Sequence, residues 1–367
     1  MDDYEKACWI GINMNRKVTP RRFLLLLSAF PDVEEIWKAS REKLSRVEGF
    51  SDAAEEFCEN RDKEKLKREL REIDELGAEV VTLNEDRYPE QLRPLEYPPP
   101  VLYILGDYRS DDQLSLAVVG TRKCSTYGEV VAHRIGKELV DLGLTVVSGM
   151  ANGIDTHAHR AALEGGGRTL AVLGTGLKKI YPKNNLSLME SIVDDGAVIS
   201  EFPLHQGPER WTFPQRNRII SGLSRGTLVV EAGEQSGALI TARCALEQGR
   251  EVYAIPGDVR RETCRGNHAL IKDGAKLVET AEDVLEELED CQAALPLGEG
   301  SSDSSEGLNL SPDQRRVYEK LDYQPQHFNE LLEETGFPTA RLSHIIFRLQ
   351  VENLVDQVEG NRWVKLD

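Results

Sequence analysis

The stretch Ile199–Ala242 reads ISEFPLHQGPERWTFPQRNRIISGLSRGTLVVEAGEQSGALITA. Within it, Phe213-Pro214-Gln215-Arg216-Asn217-Arg218 puts two guanidinium groups and an amide side by side, next to an aromatic ring and ahead of an apolar run. Farther on, Thr227-Leu228-Val229-Val230 has the pattern of a short buried strand. It empties into Glu231-Ala232-Gly233-Glu234-Gln235-Ser236-Gly237, a polar loop punctuated by glycine. Open α/β sheets hold ligands at the carboxyl ends of their strands. The stretch therefore predicts an anion-binding site in the middle of an α/β sheet.

Outward from it, short apolar runs at 116–119, 144–147, 169–173, 197–199, 227–230 and 251–255 alternate with helix-length segments. Most of those helical segments end at a glycine: Gly143, Gly165, Gly196 and Gly249. Alternation of this kind predicts a parallel sheet covered on both faces. The loops after the first strands are Gly120-Thr121-Arg122, Ser148-Gly149-Met150-Ala151-Asn152-Gly153 and Gly174-Thr175-Gly176. Such loops aim backbone N–H groups at one point, and the next helix N-terminus adds partial positive charge. Gly120, Gly149 and Gly174 are thus assigned to a phosphate-binding rim.

The flanks have a different texture. Residues 1–110 read as mostly helical, with Thr19-Pro20 as a helix start and Gly77 ending a charged helix over 61–76. Leu44 to Ser51 resembles the turn of a helix-hairpin-helix. Glu48, Asp52, Glu55 and Glu56 around that turn favour a structural hairpin over a phosphate site. Residues 290–310 are rich in Ser, Gly and acidic residues without periodicity, and read as a flexible acidic linker. Residues 311–367 carry three helical patterns and a hairpin, a winged-helix arrangement with Arg341, His344 and Arg348 on one side of its third helix. The expected organisation is a helical domain over 1–110, an α/β domain over 111–289, the linker, and the winged helix over 311–367.

Net charge is -18, but its distribution matters more than its sum. Residues 1–115 hold 18 Lys/Arg against 26 Asp/Glu, and residues 116–278 hold 20 against 17. Residues 279–312 hold no Lys or Arg and 10 acids, and 313–367 hold 7 basic residues against 10 acidic. Only the segment 116–278 is positive, so an anionic partner belongs there. No apolar run approaches the roughly 20 residues of a membrane span, and the acidic N-terminus has no signal-peptide pattern. Six scattered cysteines without a CxxC pair suggest neither a disulfide framework nor a zinc site. A reducing cytoplasm is the expected compartment, with no membrane partner.

Several chemistries can be weighed against one another. The dinucleotide fingerprint G-x-G-x-x-G fails after Gly120 and again after Gly174, and the P-loop pattern is absent, so no cofactor is expected. Asp155 and His159 stand at i,i+4 and can meet on one helix face. They read as a helix cap, with His159 bonding to Asp155 or to a carbonyl, and not as a metal or catalytic pair. Single-stranded nucleic acid fits more of the features: cations on a backbone track, N–H groups for phosphates, and an aromatic for base stacking. Arg122, Lys183, Arg216 and Arg218 can supply the first, and Phe213 or Trp211 the last. Phe213 can equally be a core ring, and Arg218 can equally pair with Glu231 or Glu201. On a helix, Arg216 and Arg218 point about 200° apart, so at least one of them serves structure.

These motifs carry a family resemblance. LAVVGTRKCSTYG at 116–128, SGMANGID at 148–155, YPKNN at 181–185, ISEFP at 199–203, FPQRNRIISGLS at 213–224, VVEAGEQSGALITA at 229–242 and ALEQGREVYAIPG at 245–257 resemble the DNA-processing protein A (DprA/Smf) family. The resemblance implies an extended Rossmann-like α/β fold flanked by an N-terminal helical (SAM-like) region and a C-terminal winged helix. It implies a non-catalytic, homodimeric protein that binds single-stranded DNA, protects incoming strands and loads the recombinase RecA during natural transformation. The DNA contacts it implies are Arg122, Phe213, Arg216, Asn217 and Arg218, with Lys183 as a further one. Its dimer region matches Gly266 to Val278, including Leu270 and Ile271. The other reading is an enzyme, a nucleotide phosphoribohydrolase on a related sheet, with Glu231 or Glu234 as its base.

Overall fold

The computed structural model describes residues 2–288 and, discontinuously, parts of 316–365. The acidic segment 290–310, the helix start at Ser311-Pro312 and the positions Arg341, His344 and Arg348 lie outside the described residues. The chain divides into two compact units, Met1–Leu295 and Pro296–Asp367.

The first unit opens with six helices: α1 (Asp3–Asn13), α2 (Pro20–Ala29), α3 (Val33–Lys38), α4 (Arg41–Ser45), α5 (Ala54–Glu59) and α6 (Lys63–Leu76). Side-chain caps start most of them; Thr19 accepts from the N–H of Arg22, and Asp62 from those of Glu64 and Lys65. Gly77, with φ of 68°, closes α6 in the left-handed conformation. The turn between α4 and α5 is closed from inside the protein. Arg22 donates to the Gly49 carbonyl at 3.1 Å and to both Asp52 carboxylate oxygens at 2.7 and 2.8 Å. That is the structural hairpin.

Nine strands follow in one sheet: β1 (Glu79–Thr82), β2 (Val101–Gly106), β3 (Ser115–Val119), β4 (Thr145–Ser148), β5 (Thr169–Val172), β6 (Ala197–Ser200), β7 (Gly226–Val229), β8 (Glu251–Ala254) and β9 (Lys276–Leu277). Their spatial order is β1-β2-β6-β5-β4-β3-β7-β8-β9. β3 to β9 pair in parallel, while β2 runs antiparallel to β6 and β1 antiparallel to β2. The six parallel strands legible as apolar runs lie within a residue or so of their expected positions. β1 and β2 come from a region that reads as helical, so the sheet continues across residue 110.

The connecting helices are α7 (Thr126–Asp141), α8 (Ile154–Glu164), α9 (Leu186–Asp195), α10 (Thr212–Leu223), α11 (Ala238–Glu247), α12 (Arg265–Lys272) and α13 (Glu282–Leu285). Side chains of β3 alternate between two layers, as a strand buried on both faces requires. Leu116 and Val118 pack in one core with Ile135 and Ala158 of α7 and α8. Ala117 and Val119 pack in another with Ile219, Ile220 and Ala242 of α10 and α11. The N-terminal helices share a third core with Tyr103, Ala171 and Val198 of the sheet and with α9. Polar contacts pin the same helices to the loop after β6. Glu69 accepts from the N–H of Leu204 at 2.7 Å, and Asn13 donates to the Glu201 carbonyl at 3.0 Å. That loop leads into α10.

The second unit has a three-stranded antiparallel sheet, Gln326–His327 beside Arg362–Lys365 beside Val355–Val358, with a helix at Phe328–Thr335. Its core includes Val317, Leu331, Leu342, Ile346 and Trp363.

Candidate nucleic-acid interface

In the sheet order, connections run one way from β3 through β4, β5 and β6, and the other way through β7, β8 and β9. The switch lies between β3 and β7, where doubly wound sheets open a crevice beyond their strand ends. A crevice of about 670 Å³ occupies that place. Its walls come from the loop after β3 (Gly120, Thr121, Arg122), from Ala151 and Asp155, and from Tyr181. The loop before α10, the first turns of α10, and the N-terminus of α11 complete them. α8, α10 and α11 all begin there with Gly153, Trp211 and Gly237, none of which supplies a side-chain cap. Most of their first N–H groups are nonetheless taken within the protein, that of Ile154 by the Thr121 carbonyl, that of Thr212 by the Glu209 carbonyl and that of Ala238 by the Ser236 hydroxyl.

Aromatic rings and one cation form a stack at its rim. The Arg122 guanidinium lies 5.1 Å from the Phe213 ring centroid, and the Tyr181 ring lies 5.7 Å from it at 53°. Arg122 is exposed, Tyr181 is 46% exposed, and Phe213 is half-buried between them. Phe213 is therefore both packed and part of the surface. A Cβ on Gly174 would stand 2.7 Å from its Cδ1 atom, so that glycine makes room for the ring.

The floor is built differently. Arg216 is 4% exposed and donates to two main-chain carbonyls, Gly149 O at 2.5 Å and Val172 O. A Cβ on Gly149 would fall 2.2 Å from its Nη1. Asp155 is buried beside it and accepts from the N–H groups of Gly149 at 3.2 Å and Ala151 at 3.3 Å. Burial pushes the Arg216 guanidinium down to about 10 and the Asp155 carboxyl up, while each holds the other's charge. Thr156 donates to the Ala151 carbonyl at 2.7 Å and Asn185 to the Met150 carbonyl at 2.9 Å. The loop 149–151 is thus fixed on every side, with Met150 at a φ of 59°.

These contacts change what the glycine loops do. The N–H groups of Gly149 and Ala151 are engaged by Asp155, that of Thr121 by the Glu231 carbonyl, and that of Gly176 by the Gln206 carbonyl. Gly120 is needed for close packing, since a Cβ there would stand 2.4 Å from Ile154 Cγ1. The glycines serve mainly as spacers for Ile154, Arg216 and Phe213. The exposed polar side chains of the rim, Arg122 among them, remain accessible from the crevice.

Both arginines of the FPQRNR segment have structural partners. Arg218 turns away from the crevice and pairs through Nη2 with the buried Glu201 carboxylate. The helical spacing separates Arg216 and Arg218 as expected, and each is held by its own partner. Asn217 lines the crevice and donates to the Gly237 carbonyl at 3.3 Å. Lys183 is exposed in a single turn after Tyr181 but does not line the crevice. His159 binds neither Asp155 nor a carbonyl; its Nδ1 lies 2.7 Å from the Thr169 hydroxyl, whose own hydrogen goes to the Val146 carbonyl. Glu231 is buried and holds the Ser125 N–H at 2.9 Å at the start of α7. Leu270 and Ile271 are half-buried on α12, and Leu277 of edge strand β9 is exposed. Among the wall residues to which the motifs assign no role are Tyr181 and Arg210. Tyr181 opens the motif read for Lys183, and Arg210 stands beside Trp211.

A doubly wound sheet with a crevice of aromatic, cationic and acidic side chains at its switch point defines the class, an open α/β protein with a switch-point site. Residues 79–289 match the model of the family described as DNA recombination-mediator protein A, and residues 302–361 match the DprA winged helix domain. The chain belongs to this DprA/Smf family of recombination mediators. It is 44% identical to Protein Smf of Escherichia coli over 67% of this chain and 64% of that protein, so the match spans just under two thirds of the relative. It is 38% identical to Protein Smf of Synechocystis over 86% of this chain and 79% of that one. The crystal structure of DNA processing protein A from Streptococcus pneumoniae superposes with a TM-score of 0.67 at 36% identity, covering 76% of this chain and 95% of that one. DNA processing protein A from Helicobacter pylori, whose structure concerns its single-stranded DNA binding mode, gives a TM-score of 0.52 at 28% identity, over 58% and 96%. Among the described residues, no helix is long and apolar enough to cross a membrane.

Proposed function

We propose that the chain binds single-stranded DNA in the switch-point crevice, without chemistry on the strand, and passes it as a homodimer to the recombinase RecA in the cytoplasm. The stack of Arg122, Phe213 and Tyr181 on the wall of that crevice carries this reading. A guanidinium and rings serve any sequence, because every base has a π-face and every nucleotide a phosphate. The relative from Helicobacter pylori binds single strands, which favours the same ligand here. Arg122, Phe213 and Asn217 are the contacts expected to touch the strand, with Lys183 reached where the strand leaves past Tyr181. Arg216 and Arg218 act by fixing the walls. Leu270 and Ile271 are assigned to the dimer surface, and residues 311–367 to a separate accessory module.

An enzymatic reading needs a carboxylate free to act as base. Glu231 is buried and bound to Ser125, and Glu234 is not a wall residue of the crevice, which favours binding over catalysis. A mobility-shift titration of single against double strands, with and without RecA, tests the proposal. Preference for single strands with a steep salt dependence is expected. Equal affinity for duplex, or release of free base from nucleoside monophosphates, overturns it.

A further inference from the structure

A second crevice, of about 530 Å³, lies across α10 from the first, and Pro214 is a wall of both. α10 contributes Arg218 to it, the end of α11 contributes Gln248, and Arg225 and Arg250 stand ahead of β7 and β8. Gln91 and Tyr97 come from the segment between β1 and β2. Its polar groups are not saturated by one another. Arg218 Nη1, Gln91 Nε2 and Gln248 Oε1 are buried without a hydrogen-bond partner in the protein. Buried polar atoms in native proteins are nearly always paired, so three orphans among the residues lining this crevice point to a ligand or water. Arg250 donates to the carbonyls of Ser224 and, at 2.8 Å, Gln91, and among the described residues no carboxylate lies in ion-pair reach of it. Burial and the neighbouring Arg225 push its guanidinium down to about 10, a strain that an anion between the two arginines relieves.

The wall is not uniformly cationic, since Glu96 and Glu247 also contribute. A simple anion would use only the arginine side. The arginines, an unpaired donor on Gln91, an unpaired acceptor on Gln248 and the half-buried Tyr97 ring together match a nucleotide, which offers phosphate, base edge and π-face. We infer that the second crevice takes the next nucleotides of the same single strand, which leaves the first crevice over Pro214. A phosphate meets Arg225 and Arg250 there, and a base edge meets Gln91 and Gln248. This rests on the single-strand reading of the first crevice.

Oligothymidylates of about four and about twelve nucleotides, chosen to fill one crevice or span both, separate the possibilities in an anisotropy titration of the full chain. Arg225 is exposed and its Nε donates to the Gln113 carbonyl at 3.4 Å, so urea unfolding of Arg225→Ala is measured beside its titration. The substitution is expected to weaken the longer strand roughly three- to tenfold and to reduce its log–log salt slope by about 0.7, leaving the shorter strand unchanged. Arg122→Ala weakens both lengths. No effect of Arg225→Ala at either length, or an equal effect at both, overturns the inference. So does thymidine monophosphate binding that is lost in Arg225→Ala and kept in Arg122→Ala while the length dependence stays intact, because the crevice then serves a free nucleotide. Failure of the native chain to bind either oligonucleotide is a different result, and removes the single-strand reading beneath it.

Discussion

At the rim of the first crevice Arg122 is exposed and lies over the Phe213 ring; at the floor Arg216 is buried, bonded to two carbonyls and matched by Asp155. A charge census counts the two alike. Their environments separate them, because a buried guanidinium held through Nη1 by two carbonyls is committed to the wall, although its Nε has no partner in the protein, whereas an exposed one exchanges water for ligand. The rim is where binding energy is available, and the floor is where that rim is held in shape. Floor substitutions therefore act on stability, and rim substitutions act on affinity.

The largest effect is expected from Arg216→Ala. It leaves two buried carbonyls unpaired and removes the positive charge beside Asp155, a loss of about 3–5 kcal/mol by analogy with broken buried ion pairs. Urea unfolding measures it against Arg122→Ala, which should change stability by under about 0.5 kcal/mol. Equal stabilities for the two variants break the distinction between floor and rim. The next effect is a pH dependence set by His159, which lies fully buried near the floor. Burial first, and the Arg216 charge second, push its imidazole down to about 3. The folded protein keeps the ring neutral while the unfolded chain protonates it near pH 6.5, so the unfolded state binds the extra proton as pH falls. Stability should then drop by about 1.4 kcal/mol per pH unit below about 6.5, until the folded value is reached. In His159→Gln the decline over the same range should be shallower by that amount; an unchanged slope removes His159 as its source.

The sequence carries the sheet well and the site unevenly, for physical reasons. Apolar runs such as 116–119 are legible because a parallel strand buried on both faces has almost no polar residue to confuse it. β1 and β2 are antiparallel additions, with Tyr97-Pro98-Pro99-Pro100 ahead of the second, and neither alternates with a helix as the others do. Arg122 is legible because it follows a strand and a glycine. The partners of Arg216 are main-chain carbonyls of Gly149 and Val172, and no side-chain pattern announces a carbonyl. Gly149 and Gly174 look like phosphate loops and prove to be clearances, since the same residue satisfies both demands.

Within the rim, two smaller effects can be told apart by their salt dependence. Arg122→Ala should weaken every single-stranded sequence about tenfold at low salt and lower the salt slope by about 0.7, because it removes one phosphate contact. Tyr181→Ala should weaken binding less, by about 1 kcal/mol, the low end of a base–aromatic stack. Its ring leans on Phe213 at 5.7 Å and carries no charge, so no counterion release is lost with it. Affinity therefore falls by the same factor at every salt concentration and the slope is unchanged. Tyr181→Phe keeps the π-face and should bind as the native chain does. A slope change in Tyr181→Ala, or a full loss in Tyr181→Phe, means that the hydroxyl serves a phosphate and that the stack is not the platform for a base.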